Sequence, residues 1–127
     1  MCSIHYSVPR IPAFGDFVRQ QREKRREQDA AFSVRQLARR VGIEPSYLSK
    51  IERGEQPPPS EETIAALARE LDEDKDVLLA LAGKVSSDLQ AIIRKRPALF
   101  AQLIRDLRKL PDHAVLRVVR EVRDGEW

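Results

Sequence analysis

Apolar residues return every three or four positions along most of this chain, and short gaps rich in polar residues, Pro or Gly cut the pattern into helix-length pieces. Phe14, Phe17, Val18 and Gln21 fall on one face of a helix predicted from Phe14 to Arg26. Residues 27–32 connect it to Ser33, which forms a Ser-x-x-Gln capping box with Gln36 and starts a second helix running to Val41. Gly42 supplies the positive φ that closes this helix. A third helix starts near Pro45, whose missing N–H costs nothing at a first helical position, and ends at Gly54. Gln56, Pro57, Pro58 and Pro59 make a stiff connector. Ser60 then caps a fourth helix, with Glu61 and Glu62 in its first turn and Ile64, Leu67, Ala68 and Leu71 as its buried stripe. Asp74 caps a fifth, running through Val77, Leu78, Leu81 and Ala82 and closed by Gly83.

Beyond Gly83 the pattern changes. Ser87 and Gln90 read as a second capping box opening a helix with Leu89, Ile92 and Ile93. Pro97 starts another with Leu99, Phe100, Leu103, Ile104 and Leu107, and Pro111 with Asp112 opens a last one carrying Val115, Leu116, Val118, Val119 and Val122. Three amphipathic helices in about 40 residues are marginal alone, so they are expected to share a core with a second copy. Phe100, Leu103, Ile104, Leu107, Val115, Val119 and Val122 are the residues expected to make that homodimer. The chain is thus expected to be all-α: an extended arm over residues 1–12, a compact domain of five short helices over 13–83, and a three-helix dimerisation segment over 84–127.

Composition narrows the function. The 127 residues contain one cysteine, Cys2, too few for a disulfide or a metal cluster, which suits a reducing cytoplasm. No apolar run is long enough to span a bilayer, and the first dozen residues do not read as a secretory signal. The two histidines, His5 and His113, have no nucleophile or metal-spaced cluster around them, so no enzyme, cofactor or metal is expected. The acidic run from Asp72 to Asp76 lacks the glycine and terminal glutamate of a calcium loop. Charge is unevenly spread. Residues 1–54 hold 11 Lys and Arg against 6 Asp and Glu, residues 55–83 hold 2 against 8, and residues 84–127 hold 10 against 6. A basic block followed by an acidic one gives a surface that attracts phosphate and another that repels it.

The basic block contains the most informative stretch, Ser33 to Gly54. Leu37, Ala38, Val41, Ile43, Leu48 and Ile51 are spaced to pack its two helices together, and the small Ala38 allows a close approach. Opposite them the second helix of the pair carries Ser46, Tyr47, Ser49 and Lys50. This is the layout of a helix-turn-helix, whose second helix enters a DNA major groove, and it points to a transcriptional repressor. Ser46 donates to or accepts from several bases, Lys50 suits guanine O6 and N7, and the Tyr47 ring suits a thymine methyl. Phosphates are expected at the start of the first helix of the pair, at the backbone of Ser33, Val34 and Arg35, and at Arg53 and Gln56.

Three segments, Gln36-Leu-Ala-x-x-Val-Gly42, Tyr47-Leu-Ser-Lys-Ile-Glu-Arg-Gly54 and Pro59-Ser-x-Glu-Thr-Ile64, resemble the Xre-type repressors, the family of the lambdoid phage repressors and Cro. The resemblance covers residues 14–83. It implies a five-helix lambda-repressor-like domain, dimers on a palindromic double-stranded operator, base contacts from the positions of Pro45, Ser46 and Lys50, and a structural ion pair between Arg22 and Glu52. The chain departs from the family pattern at Val34, where a glutamine is usual, and at Pro45, which offers no hydrogen bond to a base. Its connector between the first two helices is also several residues longer, and the run Lys24, Arg25, Arg26 at its edge suits either the DNA backbone or solvent. Residues 84–127 also resemble the dimerisation tails of Xre-type repressors paired with ImmA/IrrE-family metallopeptidases, which implies a peptidase that cuts the tail and releases the operator. The alternatives are an antitoxin repressing its own operon and a helix-turn-helix module that binds protein instead of DNA.

Overall fold

The computed structural model describes residues 13–127, and the expected arm over residues 1–12 lies outside the described residues. Those residues form eight α-helices and one short 3-10 turn, with no strand among them. They divide into two compact units, one ending at Ser87 and the other beginning at Asp88.

In the first unit, α1 (Phe14–Arg26) has Asp16 in its first turn and Lys24, Arg25 and Arg26 in its last, charges that complement the helix dipole at both ends. The stretch read as a plain connector contains a 3-10 turn, Ala30–Phe32, capped by the Asp29 carboxylate, which accepts from Ala31 N–H at 2.9 Å. Helix α2 (Val34–Val41) begins where the Ser33 hydroxyl accepts from Gln36 N–H at 3.2 Å. Ser33 gives its own N–H to the Ala30 carbonyl, so the 3-10 turn takes the bond that the return half of a capping box would make. Gly42 ends α2 at φ 87°, and the N–H groups of Gly42 and Ile43 both donate to the Ala38 carbonyl.

Helix α3 (Pro45–Glu52) follows after two residues, then α4 (Glu61–Leu71) capped by Ser60, and α5 (Lys75–Leu81) capped by Asp74. Val18, Leu37, Ala38, Leu48, Ile64, Leu67, Leu71, Leu78 and Leu79 are fully buried in one core. Along α5, Val77 is 53% exposed, and Leu78 and Leu79 take the interior positions. A seven-residue helix turns through only two turns, and docking on α4 selects adjacent Leu78 and Leu79 over a longer stripe. Helices α1 and α3 approach closely at Gly15, where a Cβ would collide with the Ile51 carbonyl oxygen.

The first unit continues past Gly83. Lys84 Nζ donates to the Pro59 carbonyl at 2.9 Å, and Ser87 donates its hydroxyl to the Glu61 carboxylate at 3.0 Å and its N–H to the same group at 3.4 Å. Ser87 is the first residue of α6 (Ser87–Lys95) and is bound to a carboxylate distant in sequence. The second unit comprises the rest of α6, α7 (Pro97–Leu107) and α8 (Asp112–Asp124), with Pro97 at the start of α7 and Pro111 preceding α8. None of the three helices has a buried residue.

Candidate nucleic-acid interface

Helix α3 is held by the side it buries. Leu48 and Ile51 lie in the core with Glu52 beside them, leaving Ser46, Lys50 and Arg53 exposed at i, i+4 and i+7. Tyr47 and Ser49 stand differently from the sequence expectation of four outward residues. Both are half-buried, and the Tyr47 ring packs against the core cluster. The freely presented stripe is narrower and more cationic than the sequence suggested.

Glu52 meets Arg22 of α1 in a two-bond pair, with Nε donating at 2.7 Å and the second guanidinium nitrogen at 2.9 Å. The two side chains are only 3% and 4% exposed. Arg22 spends its remaining donors on the Phe32 carbonyl at 3.2 Å and the Glu23 carboxylate at 3.0 Å. The bonds to Glu52 hold the guanidinium above its ordinary pKa, against the opposing effect of burial. Through these bonds Arg22 ties α1 to α3 and to Phe32 at the end of the 3-10 turn, so it holds α3 from behind.

At the far end of α3, Arg53 donates to the Glu55 carboxylate at 2.6 and 3.3 Å. That bond, ahead of the contribution of Lys50, lowers the Glu55 carboxyl below the usual carboxylate range and raises Arg53. Arg53, expected at phosphate, thus already has a carboxylate partner. Here the Glu55 and Gln56 N–H groups both donate to the Lys50 carbonyl. Gln56 itself is exposed.

At the start of α2, Arg35 is exposed, whereas Ser33 and Val34 are half-buried and Val34 packs on the core. The Ser33 hydroxyl occupies Gln36 N–H, which leaves the Val34 and Arg35 amides as the groups a helix start offers outward. Arg40, on the other flank, is committed to structure: it donates to Glu70 at 2.7 Å and to the Ala31 carbonyl at 2.6 Å, and stands 5.0 Å from the Phe32 ring centre. No sequence signal beyond an aromatic ahead of the cap marked this clamp.

The residues expected to pair two copies lie in the second unit. Phe100, Leu107 and Val115 are half-buried there, and Leu103, Ile104, Val119 and Val122 are exposed, Val122 by 64%. No helix among the described residues is long and apolar enough to cross a membrane.

Residues 13–81, more than half of the chain, match the helix-turn-helix domain family. Two curated relatives, each bearing the name uncharacterized HTH-type transcriptional regulator and coming from two strains of Mycobacterium tuberculosis, are 41% identical over 69 residues. The matched region covers 54% of this chain and 45% of each relative, so the chain matches a little under half of their length. No solved structure matches it. With α2 and α3 joined at Gly42 around Leu37, Ala38, Leu48 and Ile51, and with this match spanning them, the chain belongs to the helix-turn-helix domain family.

Proposed function

We propose that this chain is a sequence-specific, DNA-binding transcriptional regulator of the Xre type, acting as a cytoplasmic repressor without enzymatic activity. The observation that carries this reading is the exposed stripe Ser46, Lys50 and Arg53 on a helix whose opposite side is locked in the core. Ser46 and Lys50 read base edges, with the edge of the Tyr47 ring and Ser49 beside them. The Val34 and Arg35 amides, the Ser33 end of α2, Arg53 and Gln56 take phosphates. The first five helices act as a lambda-repressor-like domain over residues 13–83, and residues 84–127 join two copies so that they span an operator palindrome with half-sites about 34 Å apart. Repression of its own or an adjacent operon, relieved by a metallopeptidase that severs the tail, fits a dimer clamp, and an antitoxin acting on its own operon is the other regulatory setting.

The test is duplex binding by Lys50→Ala. The substitution is expected to cost roughly 1–3 kcal/mol on the selected operator and much less on random duplex. Equal loss on both duplexes makes Lys50 a phosphate contact. A wild-type chain that shows no affinity falling steeply with salt is a protein-interaction module, and the reading fails.

A further inference from the structure

The last two turns of α1 form a surface that the helix-turn-helix itself does not use. Gln21, Lys24, Arg25 and Gln28, spaced i, i+3, i+4 and i+7, line a cleft of about 250 Å³. Two of these side chains are cationic and two are amides with N–H donors, a lining suited to an oxyanion. Arg25 is the key member. Its guanidinium lies 5.9 Å from the Phe32 ring centre, which steadies it, and its Nε is buried with no hydrogen-bond partner among the described residues. That nitrogen is closed off from the cleft, so an anion there is met by the other donors of the lining. Two of the neighbouring carboxylates are engaged elsewhere. Glu23 lies on the opposite side of α1, bonded to Arg22 and within 4.0 Å of Arg26, and the Asp29 carboxylate caps the 3-10 turn.

We infer that this cleft is a phosphate site and that its occupant is a backbone phosphodiester of bound duplex, flanking the phosphate at the start of α2. The identity of the occupant rests on the DNA-binding reading; the affinity for phosphate does not. Chain continuity supports the placement: Phe32, which orients Arg25, directly precedes Ser33 at the α2 start.

The experiment measures duplex affinity against salt for the full chain, Arg25→Gln and Lys24→Gln, with inorganic phosphate titrated against the Arg25 Nε–H resonance by NMR. Both variants alter exposed or half-buried positions, and circular dichroism checks their fold. The expected result is a salt slope shallower by about one per lost contact, with affinity falling equally on operator and random duplex. Unchanged slopes in both variants, for a chain that binds duplex, overturn the assignment of a DNA phosphate. In that case a phosphate-dependent shift at Arg25 assigns the cleft to free phosphate instead. If the chain binds no duplex, the function proposed above has failed, and the titration alone decides: a saturating shift keeps the cleft as a phosphate site, and no shift removes it.

Discussion

A single carboxylate shows how strongly this fold depends on individual side chains. Glu52 is almost fully buried and would be out of place in a core, but Arg22 satisfies both of its oxygens. Breaking one side of such a pair strands the other charge, which is costlier than the pair is stabilising. Glu52→Gln is therefore expected to lower unfolding free energy by about 3–5 kcal/mol. Arg22→Met combined with Glu52→Leu should recover most of that loss. Urea unfolding of the three variants checks this; a double variant as unstable as Glu52→Gln alone would show that the charge pair itself carries the stability. The partnership was legible only by resemblance, because Arg22 and Glu52 are 30 residues apart and nothing in their spacing links them. By contrast, Glu55 escaped notice although it lies two residues from Arg53. An exposed ion pair leaves no apolar pattern to read.

Element by element, the helices were read well wherever backbone chemistry punctuates the chain. Ser33, Ser60 and Asp74 cap as expected, Gly42 takes the left-handed turn, and Pro45, Pro97 and Pro111 stand at helix starts. Tertiary packing adds contacts that this punctuation does not encode: Ser87 bonds Glu61, Ser33 gives its N–H to the 3-10 turn, and Leu78 and Leu79 take the interior side of α5 while Val77 is exposed. Gly15 makes a further such contact, since only the approach of α3 accounts for a glycine in the first turn of α1. In an unconstrained helix Gly→Ala is stabilising by roughly 0.4–1 kcal/mol. Against the Ile51 carbonyl the sign reverses, and Gly15→Ala is expected to destabilise by about 1–3 kcal/mol as α1 is forced away from α3. A thermal midpoint equal to or above the wild type would show that the two helices have room to separate.

For the whole molecule, the contrast between the two units is the governing fact. The first buries a continuous core from Phe14 to Leu79, whereas no residue of α6, α7 or α8 is fully buried and Leu99 is 70% and Val122 64% exposed. Solvated apolar faces of this extent on three successive helices mark an interaction surface. Under the function proposed above, a second copy would cover these faces, because a palindrome needs two reading heads. The consequence is quantitative. Joining two heads raises the affinity for an operator by about 10²–10⁴ over one head without any new base contact. A chain ending at Ser87, which keeps the Lys84 and Ser87 bonds to the first unit, should fold with the thermal stability of its core. It should scatter light as a monomer, and lose that factor on the operator while keeping its affinity for a single half-site. If the shortened chain has the same oligomeric state as the full chain, the apolar faces of α6 to α8 do not join the copies, and a different protein must cover them.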